Sequence, residues 1–166
     1  MNIAKQIVGY LKSRGLVLAS VETCTAGRIA AMLADVPGAT DCLDFGLIVH
    51  SPCATADLPG VRASTAEQCG LISEAVAREL AEGVLAQRAG HAGVVVVSLG
   101  LPAPPDDASV PVVQCLAWAC VHRGQTYSAG ETVRLCGRRG EILRSIARRA
   151  LLGVPRFVDA TLSRAD

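Results

Sequence analysis

The chain has 166 residues, with 16 Lys plus Arg against 15 Asp plus Glu, and is 51% hydrophobic but only 3% aromatic. A charged fraction of 19% beside this much apolar content excludes intrinsic disorder, and 8 Pro and 16 Gly are too few for a fibrous or low-complexity chain. Mean hydropathy is positive, yet the longest apolar runs, CLAWACV at 115–121 and IAAMLA at 29–34, fall far short of the ~20 residues that cross a bilayer as a helix.

One domain over 1–166 is expected, long enough to bury an aliphatic core without disulfide staples. Ile3, Ile7 and Leu11 recur every fourth residue, the stripe of an amphipathic helix rather than the unbroken apolar core of a signal peptide. The expected compartment is therefore the cytoplasm, with no membrane partner. Residues 16–21 read as a strand, the small and polar ETCTAG at 22–27 as a tight turn, and RIAAMLADV from Arg28 as a helix closed by Pro37 and Gly38.

A second strand is expected over 43–50, followed by an irregular stretch. Ser64 with Glu67 three residues on is a capping-box pattern and predicts a short helix. A longer helix is predicted with Ser73 as N-cap, where Ile72, Val76, Leu80 and Val84 recur at four-residue spacing until Gly90. VVVVSL at 94–99 has the unbroken β-branched character of a strand covered on both faces. The segment 100–111 holds four prolines and two aspartates and reads as a loop at that strand's carboxyl end.

VVQCLAWACVH and TYSAGETVRLC flank an HRGQ turn and predict an antiparallel hairpin. A last helix is expected from about Arg138, with Ile142, Leu143, Ile146, Ala150 and Leu151 inward, and a tail without assigned order from about residue 153. Helices alternating with apolar strands predict an α/β fold, a three-layer α/β/α sandwich on a mainly parallel mixed sheet. The cysteines at 24, 42, 53, 69, 115, 120 and 136 form no CxxC pair and read as free thiols, with Cys115 and Cys120 on opposite faces of their strand. Histidines and carboxylates form no ligand-spaced cluster, so neither a metal nor a cofactor is expected.

Ligands of open α/β sheets bind outside the carboxyl ends of the strands, which singles out ETCTAG, HSPCAT at 50–55 and GLPAPPDD at 100–107. Thr23, Thr25 and the N–H groups near Gly27 would face an anion at a helix N-terminus; the plainer reading is that a threonine caps the helix and Gly27 permits close packing. No Walker A, GxGxxG, HExxH or GxSxG motif is present. Eight of the fourteen arginines lie from Arg134 onward. With few aromatics and a net charge near zero, this reads as a solvated helix face with Arg139 near an anion, and no nucleic-acid partner is expected.

The order of these segments resembles the CinA C-terminal domain family. Its AESCTGG turn is represented by ETCTAG at 22–27, and its Gly-x-Val-x-Tyr-Ser-Asn-x-x-x-Lys strand and loop by Gly46 through His50, Ser51 and Pro52. Its G-x-V-S-E helix start is matched by Gly70, Ser73 and Glu74, and its G-D-R entry to the final helix by Gly137 and Arg139. The resemblance runs from about residue 5 to about residue 152. It implies a CinA-like fold and an amidohydrolase that deamidates nicotinamide mononucleotide to nicotinate mononucleotide, hence a nucleotide of that kind as small-molecule partner.

By the same resemblance the family's nucleophilic serine and its supporting tyrosine and lysine correspond to Thr23, His50 and Thr55. Glu22, Cys24, Thr25, Gly27, Ser51 and Arg139 are the implied substrate and phosphate contacts. Thr23 keeps a hydroxyl, but its methyl group restricts the rotamer and crowds an attack. Thr55 cannot replace an amine; His50 is either a base for Thr23 or simply a polar residue where the strand meets solvent. SLGLPAPPDD stands where the family carries an SGIAGPDGG-like loop, and its prolines remove backbone donors. The expectation is an amidohydrolase of weakened or lost activity, with a non-catalytic nucleotide- or phosphate-binding member as the alternative. A nucleophile within hydrogen-bond reach of a base separates the two. A homo-oligomer is compatible with the apolar composition and would show as an exposed apolar patch of more than several hundred Å².

Overall fold

Residues 2–101 and 106–164 are described by the computed structural model. Helix α1 (Ile3–Arg14) opens on Asn2, whose side chain accepts the Lys5 N–H at 3.3 Å, and buries the predicted stripe of Ile3, Ile7 and Leu11. Then come β1 (Leu18–Glu22), α2 (Arg28–Ala34), a 3-10 turn (Ala39–Cys42), β2 (Leu43–Ile48), α3 (Pro52–Ala56), α4 (Ala63–Cys69) and α5 (Glu74–Gln87). The chain ends with β3 (Val94–Gly100), the hairpin β4 (Val112–His122) and β5 (Gln125–Leu135), and α6 (Arg139–Arg164).

The five strands form one sheet in the order β2-β1-β3-β4-β5. β1 runs parallel to both β2 and β3, whereas β4 is antiparallel to β3 and to β5. Helices α1, α2 and α6 cover one face and α5, with α4 at its edge, covers the other. Both central strands are therefore buried along their whole length. Val94 and Val96 point to one core, Val95 and Val97 to the other, which is why this strand reads as a continuous apolar run. Each such fully buried side chain stabilises the fold by about 1.5–3 kcal/mol. Cys115 and Cys120 lie in opposite cores, as their spacing predicts.

The sequence expectations need three corrections. The segment from 153 is no tail: α6 continues to Arg164 through Pro155, because Val154, Val158 and Thr161 carry its buried stripe onward. Against this helix the Trp118 indole donates to the Ala150 carbonyl at 2.9 Å. The stretch after β2 is not wholly irregular, since Ser51 caps the short α3. Ser64 lies inside α4, whose N-cap position is Arg62 and which receives no side-chain cap of its own.

The anchor for α4 comes from α5 instead. The Glu79 carboxylate accepts the Arg62 N–H at 3.0 Å, the Arg62 Nε at 2.6 Å and the Thr65 hydroxyl at 2.5 Å. Nearby, the Pro59–Gly60 turn presses so closely on α5 that a Cβ at Gly83 would overlap the Pro59 carbonyl. These two contacts fix residues 59–65 against α5. Among the described residues, no helix is long and apolar enough to cross a membrane.

Burial pushes the Glu79 carboxyl up, but the hydrogen bonds from Thr65 and Arg62 and the Arg62 charge outweigh it and hold the group below its ordinary value of 4.5. A carboxyl depressed on folding contributes stability that is complete above its unfolded value and is lost as pH falls through the folded one. Glu79→Gln is therefore expected to cost about 1–2 kcal/mol at pH 7, a deficit that shrinks as pH is lowered below about 4. Urea denaturation of both proteins at the two pH values checks this; a deficit independent of pH would show that the charge of Glu79 is not what anchors α4.

Candidate functional site

β1 ends on Glu22, which is 1% exposed. Its carboxylate turns back over the following residues and accepts the backbone N–H groups of Gly27 at 3.0 Å, Ile29 at 3.1 Å and Ala30 at 3.0 Å. The N-terminus of α2 has no side-chain cap from its own N-cap residue, Gly27, and Glu22 fills that role from the strand before it. The turn this creates holds Ala26 at a φ of 49°, a left-handed conformation that costs a residue with a Cβ about 1–2 kcal/mol.

The next residue, Thr23, meets the end of β3. Its backbone N–H donates to the Ser98 carbonyl at 3.0 Å. Its hydroxyl accepts the Gly100 N–H at 2.9 Å and points its own proton at the carbonyls of Ser98 (3.2 Å) and Gly100 (3.1 Å). Thr23 thereby bolts β1 to β3 at the point where the chain's connections diverge, β1 leading out to β2 on one side and β3 lying on the other. That divergence is where open α/β sheets leave a crevice.

Beneath the bolt lies a buried polar pair that the sequence reading missed. Gln114 of β4 donates from Nε2 to the Ser98 hydroxyl at 2.8 Å, and both residues are fully buried. Gln114 Oε1 sits where a Cβ on Gly100 would be and has no hydrogen-bond partner among the described residues. The available signal was a Ser and a Gln interrupting strands that are otherwise apolar.

Above the bolt a cleft of about 430 Å³ opens, lined by Thr23, His50, Ser51 and Thr55 together with apolar side chains that include Leu71, Ile72 and Leu99. Val49 continues the β1–β2 pairing by donating to the Glu22 carbonyl at 2.9 Å, which carries His50 to the mouth. The Ser51 hydroxyl caps α3 by accepting the Ala54 N–H at 3.1 Å, and the buried Thr55 hydroxyl donates to the Ser51 carbonyl at 3.1 Å. The opposite wall, Gly70 to Ile72, is set by Ser73, which donates to the Gly70 carbonyl at 2.8 Å while capping α5 through the Val76 N–H at 3.2 Å.

Four of the nine residues singled out from sequence thus meet in one cleft: Thr23, His50, Ser51 and Thr55. The other five lie outside its lining. Glu22 and Gly27 are committed to each other. Cys24 is packed in the α1–α2–α6 core, where burial pushes its thiol up against the opposing charges of Arg28 and Arg139. Thr25 is fully buried, and its hydroxyl has no hydrogen-bond partner among the described residues. Arg139, the first residue of α6, pairs with Asp106 at 2.6 Å. The prolines at 102, 104 and 105 lie outside the described residues.

A hydroxyl nucleophile needs a base within about 2.6–3.2 Å. Here both the lone pair and the proton of Thr23 are engaged by backbone groups of β3, and among the described residues no side-chain hydrogen bond reaches the His50 ring. Among the described residues there is also no group of three His, Cys, Asp or Glu that would hold a metal ion. The arrangement is suited to holding a small molecule by shape and apolar contact.

Comparison with known proteins gives a consistent result. The family model of the CinA C-terminal domain matches residues 1–158. A CinA-like protein of Shewanella pealeana is 30% identical over 166 residues, covering 95% of this chain and 38% of that protein, and one of Chlorobium phaeobacteroides is 34% identical over 73% of this chain and 29% of its own length. The match therefore spans only 29% to 38% of the length of these relatives. The nicotinamide-nucleotide amidohydrolase PncC of Escherichia coli K12 is 36% identical over 66% of this chain and 64% of that protein. The crystal structure of a competence or damage-inducible protein from Enterobacter asburiae superposes with a TM-score of 0.78 at 25% identity, over 92% of this chain and 93% of that one.

Removal of the Glu22 carboxylate would strand three backbone donors at the start of α2. Glu22→Ala is expected to cost about 2–4 kcal/mol in urea denaturation, with Glu22→Gln intermediate. A loss below about 0.5 kcal/mol would mean that the turn stands without its clamp.

Proposed function

Since this chain belongs to the CinA C-terminal domain family, we propose that it is a small-molecule binding member related to the nicotinamide-nucleotide amidohydrolases, with amide hydrolysis slowed to insignificance or lost. The cleft at the carboxyl ends of β1 and β3 receives the ligand, a pyridine nucleotide or a molecule like its base. Thr23, His50 and Thr55 stand where the resemblance implies a serine, a tyrosine and a lysine.

One observation carries this reading. The Thr23 hydroxyl is held in a closed set of hydrogen bonds with Ser98 and Gly100, so that attack on a carboxamide would break the bolt between β1 and β3 before any base had taken the proton. Thr55 supplies no amine and spends its hydroxyl on the Ser51 carbonyl. General-base assistance is commonly worth about 10²–10⁴ in rate, and this geometry forgoes it.

The test is ammonia release from nicotinamide mononucleotide, followed for hours beside a Thr23→Ala variant. Release at the same background level in both proteins is expected. Turnover in the unaltered protein that disappears in Thr23→Ala would overturn the reading and make the threonine a working nucleophile.

A further inference from the structure

We propose that strand β5 is an interface at which a second copy of this chain pairs antiparallel, about a two-fold axis through Gly130. The strand shares no residue with the cleft lining. The two edges of the sheet are built differently. β2 is six residues long, its pairing with β1 shifts register between Leu18 and Ala19, and its Asp44 is ion-paired to Arg88 at 2.7 Å. Short length, irregular pairing and charge are means by which sheet edges avoid joining other chains. β5 runs for 11 residues, about twice the usual strand length, keeps a single register with β4 throughout and carries neither Pro nor Lys. Its one carboxylate, Glu131, is drawn back onto α6 by Arg149 and Arg156.

Which backbone groups of β5 point outward follows from the turn before it. Arg123 and Gly124 form a two-residue hairpin loop with φ of 50° and 76°, so the flanking His122 and Gln125 exchange hydrogen bonds. Along the ladder Tyr127, Ala129, Glu131 and Val133 likewise bond to β4, whereas Thr126, Ser128, Gly130, Thr132 and Arg134 direct their N–H and C=O groups away from it. Among the described residues no further strand receives them. An antiparallel copy engages all five in one register, centred on Gly130, with Ser128 opposite Thr132 of the partner subunit and Thr126 opposite Arg134 of the partner subunit. A register centred on Glu131 would set like charges directly opposite each other, which is destabilising.

The side chains are self-complementary in the same register. Between β5 and α6 runs a groove of about 270 Å³, lined among others by Tyr127, Ala129, Arg156, Phe157, Ala160 and Arg164. Arg156 lies 3.4 Å from Glu131, which it shares with Arg149, and Arg164 forms no ion pair among the described residues. Arginine is thus in excess over carboxylate beside this strand. Pairing about Gly130 sets Glu131 of the partner subunit against Ala129, beside the groove that holds Arg156 and Arg164, and the two-fold axis repeats the contact.

The experiment is sedimentation of the full chain between about 5 and 500 µM, joined to residue-resolved amide hydrogen exchange at both ends of that range. The expected mass rises with concentration toward twice the 17.2 kDa of one chain. Exchange at Ser128, Gly130 and Thr132 is expected to slow by about tenfold or more on association, while Ala129 and Glu131, already bonded to β4, change little. Arg164→Glu, an exposed substitution near the end of α6, is expected to raise the dissociation constant about tenfold, because it meets Glu131 of the partner subunit with like charge.

A single-chain mass at every concentration would overturn the proposal and leave the edge to some other chain. A dimer whose Ser128, Gly130 and Thr132 amides still exchange freely would place the interface elsewhere and overturn it equally. Slow exchange of those amides at all dilutions of a monomer would show the edge to be covered by the chain itself, with the same consequence. Association unchanged in Arg164→Glu would contradict the register centred on Gly130, and the proposal with it.

Discussion

The carboxylate of Glu22 is the constraint from which the site follows. A charge this deeply buried is tolerated only if it is hydrogen-bonded, and Gly27, Ile29 and Ala30 provide three donors at 3.0–3.1 Å. The interaction solves two problems at once, since the first N–H groups of a helix have no intrahelical partner and the strand end has a charge to satisfy. Its geometric consequence is a turn too short for relaxed backbone throughout, and the strain appears at Ala26. The ordering of this turn places the Thr23 side chain against β3, where a floppier connection would leave it facing solvent.

From that placement the character of the cleft can be read in physical terms. Thr23 is within hydrogen-bond distance of three backbone atoms of β3 and acts as a bolt between two parallel strands at the crevice of the sheet. The Ser98–Gln114 pair beneath it brings a second polar layer into an apolar sheet, one of whose acceptor atoms has no partner among the described residues. The floor of the cleft is therefore a hydrogen-bonded structural unit, and its wall from Gly70 to Ile72 is held in place by Ser73 at the start of α5. Polar groups are spent on building the cleft more than on lining it.

Much of the fold was legible in the sequence because its signals are strong and local. Ile3, Ile7 and Leu11 mark one helix, the run 94–97 marks a doubly covered strand, and the HRGQ turn marks a hairpin that the structure pairs from Val112 with Leu135 to His122 with Gln125. The errors fell where tertiary contacts override local preference. The stretch from about residue 153 read as a tail, yet burial of Val154 and Val158 carries the helix on through Pro155. Ser64 looked like a cap, but Glu79, fifteen residues further on, does the anchoring. For the site, the strand-end segments were identifiable because sheet topology dictates where ligands meet the chain. The Glu22 clamp and the Ser98–Gln114 pair were not identifiable as such, because nothing local distinguishes a glutamate that points inward from one that points to solvent.

The N-terminus of α2 is occupied by the protein's own carboxylate, Glu22, and the proposed ligand site is therefore the cleft. Amide chemical shifts followed during titration of the ¹⁵N-labelled protein with nicotinamide mononucleotide test this most directly. Shifts are expected at Gly70, Leu71, Ile72 and Gly100, with Gly27, Ile29 and Ala30 unmoved. Large shifts at Gly27, Ile29 and Ala30 with the cleft residues silent would mean that the ligand's anion displaces Glu22, and would contradict it.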